Sequence, residues 1–95
     1  MMNPDSLHLR YDEGADVLYV MTPRYGPAYG EEDGPGLVWR YLDADHSLVG
    51  LTILDYEAYW RPRLDELVAM MADRFQIPAS AARKALEQGP HKKSA

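Results

Sequence analysis

Ninety-five residues with a net charge of −5 at pH 7 can build one domain around one modest core, which a partner subunit would enlarge. With no cysteine, the chain has no disulfide framework, no thiolate zinc site and no thiol nucleophile. No basic region precedes an apolar run at the N-terminus, and no apolar stretch reaches the ~20 residues of a membrane span, so a soluble cytoplasmic protein is expected.

The charge is unevenly placed. Residues 1–60 carry three arginines against eleven acidic residues, a net of −8, while residues 61–95 carry seven basic against four acidic residues, a net of +3. An acidic body with a basic arm suits an anionic partner. A solvated helix face followed by a polar tail would produce the same asymmetry.

In chain order, Leu7, Leu9 and Tyr11 alternate with His8 and Arg10, the period of a half-buried strand with His8 and Arg10 on its solvent face. Asp12-Glu13-Gly14-Ala15 is a turn, with Gly14 free to take positive φ. Asp16 to Met21 reads as a strand apolar on both faces, which suits a central position in a sheet. Thr22 to Gly36 is rich in Gly and Pro and holds the acidic triplet Glu31-Glu32-Asp33. A structureless connection of that length is uncommon in a compact domain. Leu37 to Leu42 and Leu48 to Asp55 are two further strands, joined by Asp43-Ala44-Asp45-His46-Ser47. In the second of them, Val49, Leu51 and Ile53 form one face, with Leu48, Gly50, Thr52 and Leu54 on the other.

From Arg61 the period changes. Leu64, Leu67, Val68, Met71 and Phe75 recur at three- and four-residue steps, the stripe of an amphipathic helix, with Pro62 in its first turn and Asp65-Glu66 complementing its dipole. Gln76-Ile77-Pro78 breaks that helix. A second, over about Ala79 to Gln88, turns Ala82, Ala85 and Leu86 inward and stops at Gly89-Pro90. Residues 90–95 are expected to be a disordered tail.

Tyr11-Asp12, Ala15-Asp16, Leu18-Tyr19-Val20 and Val49-Gly50 followed by Ile53-Leu54-Asp55 resemble a small bacterial family, domain of unknown function 2283, over residues 7–57. The resemblance implies a small β-rich domain with no established activity, and a short edge strand near Ala28 to Glu32. It also implies an antitoxin-like role beside a small toxin, and it brings no catalytic residues. Where the family commonly has Gly in its second turn, this chain has His46-Ser47.

Little in the chain points to catalysis, and no cofactor is expected. Asp43-x-Asp45-x-Ser47 imitates the start of a calcium loop, but that loop's sixth and twelfth positions hold Leu48 and Leu54 where Gly and Glu are needed, so the segment reads as a turn. His8, His46 and His91 lie far apart without zinc-ligand spacing. No nucleophile elbow, phosphate-cradling loop or dinucleotide fingerprint occurs.

The aromatic residues are more telling. Trp39 and Tyr41 share one strand face, and Tyr56, Tyr59 and Trp60 cluster between sheet and helix. They could fill the sheet–helix junction or form a partner-binding patch. Tyr25 and Tyr29 in the long connection suit exposed contacts. The candidate partner-binding residues are therefore Tyr25, Tyr29, Trp39, Tyr59 and Trp60.

Met71 to Gly89 also resembles the helix-turn-helix of bacterial repressors, with Ala72, Phe75, Ile77, Ala82, Ala85 and Leu86 at its packing positions and Gln76 where the turn usually has Gly. The resemblance places Ser80, Arg83 and Lys84 on a recognition helix, with Lys92 and Lys93 as phosphate contacts.

The expected fold is α+β, a single domain over residues 1–95: an antiparallel β-meander of four or five strands over 7–57, and a helical hairpin over 61–89 packed on one face. The expected role is a non-catalytic interaction or regulatory protein working as a homodimer, with a toxin-like partner also open. A DNA-binding regulator or antitoxin is the alternative.

Overall fold

The computed structural model describes residues 7–24, 26–88 and 91–92. Five strands, β1 (His8–Asp12), β2 (Val17–Met21), β3 (Ala28–Glu32), β4 (Leu37–Leu42) and β5 (Leu48–Leu54), form an antiparallel sheet, followed by helices α1 (Leu64–Phe75) and α2 (Ala79–Gln88). The arrangement is α+β. A two-residue strand, β6 (His91–Lys92), adds to the far edge in parallel with β1, where the sequence suggested only a disordered tail.

The order across the sheet is β3-β4-β5-β2-β1-β6. The strands thus comprise a hairpin, β1–β2, and a three-stranded meander, β3–β4–β5, whose last strand closes onto β2. After β2 the chain crosses to the opposite edge, and two hydrogen bonds hold the crossing in place: Thr22 N–H to Val49 O at 3.0 Å and Asp43 N–H to Pro27 O at 2.9 Å. The edge strand implied for the long connection is β3.

One face of the sheet is the core. Leu9, Tyr11, Leu18, Val20, Leu51, Ile53, Leu37 and Trp39 stand on it, and the helical segment covers it with Leu67, Val68, Met71, Phe75, Ile77, Ala82 and Leu86. The three- and four-residue spacing in α1 puts its buried side chains in one stripe over the sheet. A bulge breaks the alternation predicted for β5: Tyr41 pairs with Leu48 but Arg40 pairs with Gly50. Leu48 therefore packs against the main core, and Val49 is buried outside it. One extra residue on one strand is enough to exchange the two faces.

The join between sheet and helices is organised by Asp16. It, rather than Gly14, takes the left-handed conformation in the first turn, with φ of 56°. Its backbone carbonyl accepts the Tyr56 N–H at 3.1 Å. Its carboxylate accepts the Tyr11 hydroxyl at 2.8 Å, the Glu57 N–H at 2.8 Å and the Ala58 N–H at 3.1 Å. These amides open a wide helical turn over Tyr56–Trp60, which passes through a tight turn, Arg61–Arg63, into α1. Asp16 thus caps a helical segment some forty residues away in sequence, at the end where backbone N–H groups have no partner of their own. Burial pushes its carboxyl pKa up, but the hydrogen bonds from Glu57, Tyr11 and Ala58 outweigh burial and hold it below the usual carboxylate range.

Between α1 and α2 the residue in the left-handed conformation is Gln76, with φ of 58° and its N–H on Ala72 O. A polar side chain fills the geometry that Gly would usually supply, and the Gln76 Nε2 donates to Asp73 O at 2.6 Å.

Candidate interaction surface

Among the described residues, no helix lies over the second face of the sheet. In register from β3 to β1 this face presents Gly30, Arg40, Gly50, Met21 and His8 in one row, and Glu32, Val38, Thr52, Tyr19 and Arg10 in the next. Met21 is 43% exposed, and Leu54, beyond these rows on β5, is 42% exposed. A strand that is apolar on both faces needs cover on both. β2 and β5 have that composition; outside the main core Val17 and Val49 are buried, Tyr19 and Thr52 are half-buried, and Met21 and Leu54 are left exposed.

Two glycines shape this surface. A Cβ on Gly30 would stand 2.8 Å from Val38 Cγ1 and 3.2 Å from Arg40 Nη1, so the absent side chain is what lets Val38 and Arg40 lie over the edge strand. A Cβ on Gly50 would stand 3.1 Å from the Val20 carbonyl oxygen, and nearby a shallow depression of about 310 Å³ is lined by Tyr19, Val20, Met21, Arg40, Leu51 and Thr52. The Arg10 guanidinium stacks 5.2 Å from the centre of the Tyr19 ring, which fixes a cation beside the apolar patch.

The predicted contact residues divide sharply. Trp39 and Trp60 are 0% and 3% exposed, so neither is a surface contact of this fold. They belong to the core because the helices close over the strand face that carries Trp39, and the wide turn folds Trp60 inward. Phe75 packs at 6.0 Å from the Trp39 ring and the Arg74 guanidinium lies 4.7 Å from it. Tyr59 is half-buried, 5.0 Å from Trp60, with the Arg63 guanidinium 3.9 Å from its ring. Tyr25 lies outside the described residues.

Tyr29 is exposed on β3, but it is held by its own fold. Its ring stacks 5.7 Å from Tyr41, and its hydroxyl is hydrogen-bonded to His46 Nδ1 at 2.9 Å. His46 takes a positive φ of 60°, the conformation a glycine would supply at that turn. Beside it the acidic turn is self-contained. Asp45 accepts the Ser47 hydroxyl at 2.6 Å, the Ser47 N–H at 3.0 Å and Arg24 at 3.1 Å. The Ser47 hydroxyl, the Ser47 amide and Arg24, in that order of effect, hold the Asp45 carboxyl at about 2. These carboxylate contacts serve the hairpin, as short acidic residues do in turns.

On α2, Ser80 and Lys84 are exposed, while Arg83 is half-buried and paired with Asp65 of α1. That ion pair ties the two helices together and engages the Arg83 guanidinium within the helical hairpin. Lys92 joins the sheet through its backbone beside Tyr11, and Lys93 lies outside the described residues.

Arg10, Tyr19, Met21, Glu32, Val38 and Leu54 were not named as contact residues from the sequence, although the two-faced apolar pattern of β2 was the signal that leads to them. No described helix is long and apolar enough to cross a membrane. Neither curated proteins nor solved structures include a match to this chain. The model of a protein family of unknown function, DUF2283, matches residues 8–56, which span all five antiparallel strands and stop where the helical segment begins, and the chain belongs to that family.

Proposed function

We propose that this chain is a small non-catalytic interaction protein that regulates by association and works as a homodimer through the uncovered sheet face. The observation that carries this reading is the exposure of Met21 and Leu54 beside Tyr19 and Val38 on strands whose other face is fully packed. Burying such a face stabilises by roughly 25 cal/mol for each Å² of apolar surface removed from water. A second subunit would supply the cover that a chain of this length lacks residues to build.

The test is molar mass by light scattering from micromolar to millimolar concentration. The wild type is expected to shift from monomer toward dimer as concentration rises. Leu54→Asp should hold it monomeric, with a fold cost within about 0.5 kcal/mol because the site is at the surface. A wild type that stays monomeric across the range would sink the self-association reading. A second polypeptide of toxin type that co-purifies and is lost in Leu54→Asp would assign the face to that partner instead.

A DNA-binding role through the C-terminal helices stands second, favoured by the exposure of Ser80 and Lys84. Binding of labelled duplex DNA should then weaken steeply with salt and fall in Lys84→Ala. If no binding occurs at low salt, that role is removed.

A further inference from the structure

Glu32 and Arg10 lie in one register row across the five antiparallel strands, Glu32 on β3 and Arg10 on β1, with the backbone of β6 adding His91 beyond Arg10. Glu32 is opposite Val38, Val38 opposite Thr52, Thr52 opposite Tyr19, and Tyr19 opposite Arg10. An acid therefore stands on β3 and a base on β1, two strands either side of β5, where Thr52 is the middle of the five antiparallel positions; the two-residue β6 lies beyond β1. Glu32 and Arg10 form no ion pair among the described residues.

We propose that a second copy of this chain covers this face across a two-fold axis running along β5, so that Glu32 of each protomer meets Arg10 of the other. The proposal rests on the homodimer reading above and adds its geometry. Two sheets placed face to face can be related by two in-plane two-fold axes, and the row distinguishes them. An axis along the strands reverses the row, bringing Glu32 onto Arg10 at both ends, Val38 onto Tyr19 on either side of the middle, and Thr52 onto Thr52. An axis across the strands keeps the row's direction and sets Glu32 on Glu32 and Arg10 on Arg10. Like charges facing each other in an interface are strongly unfavourable, so the first arrangement wins.

The neighbouring rows accept the same axis. Gly50 falls on Gly50, where the missing side chains let the backbones approach, and the aliphatic stem of Arg40 falls on Met21. Leu54 falls on Leu54. Two packed sheets are commonly rotated by about 30°, which displaces strands ~10 Å from the axis by about 5 Å. Arginine and glutamate side chains span that offset.

Five strands ~4.8 Å apart, each rising ~3.3 Å per residue over about five residues, give a flat footprint of about 400 Å² per protomer. That is at the small end for a specific interface, so the dimer should be concentration-dependent rather than permanent. The end charges would then decide which geometry forms.

Charge exchange tests this by sedimentation equilibrium. Arg10→Glu alone and Glu32→Arg alone each place like charges at both ends of the pair, and each should raise the dissociation constant at least about tenfold. An equimolar mixture of the two variants restores an acid–base pair at both ends, and should associate as a heterodimer close to wild-type strength. The double variant Arg10→Glu/Glu32→Arg should recover self-association and also shows that both exchanges are compatible with folding. If the wild type dimerises and the single variants dimerise equally well, the homodimer reading stands and this pairing is overturned. If the wild type never dimerises, both fall together.

Discussion

Trp39→Ala is expected to destabilise the protein by about 4 kcal/mol, the usual range for removing a large aromatic side chain from a packed core. Trp39 is fully buried on β4, on the sheet's covered face, against Phe75 and beneath Arg74. Arg74 in turn donates to the Tyr41 hydroxyl and to Asp33, both at 2.9 Å, and so ties α1 to the β3–β4 side of the sheet. Emptying the Trp39 site therefore weakens the seat of α1 as well as the core beneath it. For a domain of this size the loss corresponds to a fall of about 20 °C in melting temperature. Trp39→Phe should be far milder, about 1 kcal/mol, because the indole N–H is buried without a hydrogen-bond partner among the described residues and its removal relieves a desolvated donor. Thermal melts followed by circular dichroism separate the two variants. A Trp39→Ala protein that melts like the wild type but loses a partner would contradict the packing and return Trp39 to the surface.

Asp16→Ala is the second large effect, about 3 kcal/mol. It removes the acceptor for the Glu57 and Ala58 amides, a helix-capping loss of typically ~1 kcal/mol and at most about 2. It also leaves the hydroxyl of the buried Tyr11 without its acceptor, which costs ~1–3 kcal/mol. Tyr11→Phe should recover part of the loss when combined with Asp16→Ala, because no stranded hydroxyl then remains. Additive single effects would mean that the 2.8 Å contact carries no coupling.

The same carboxylate gives a pH dependence of definite sign. Its folded pKa lies below the unfolded value of ~3.9. Between the two values the unfolded chain binds more protons, so acid favours unfolding. The stabilisation is fully present above the unfolded pKa and is lost as pH falls through the folded one. Urea unfolding below about pH 4 should show wild-type stability falling more steeply than that of Asp16→Asn, whose amide has no proton to gain. Parallel slopes would show that Asp16 contributes no such linkage.

Local pattern carried much of the fold. Alternation in Leu7–Tyr11, the apolar runs of β2, β4 and β5, and the three- and four-residue spacing from Leu64 to Phe75 each follow from the period of one element, and nothing distant is needed to read them. The family motif residues Tyr11 and Asp16 were legible as flanks of a turn but not as a cap. The amides that Asp16 caps, of Glu57 and Ala58, are some forty residues away, and no local rule joins them. Trp39 and Trp60 look the same in sequence whether they fill a core or meet a partner. The choice was made by the sheet face on which the helices settled. The bulge between Arg40 and Tyr41 was equally hidden, since one extra residue leaves the composition unchanged and reverses which side chains point to the core.

The candidate surface shows the division most clearly. The sequence by itself determined that β2 and β5 are apolar on both sides and that the chain supplies two short helices to cover them, because composition and period belong to each segment alone. Only the tertiary structure decided that both helices lie on one side, that Met21 and Leu54 are left in the open, and that Glu32 and Arg10 share a common row. Those facts depend on strand order and register, which arise when segments distant in sequence pair through hydrogen bonds and exclude water together.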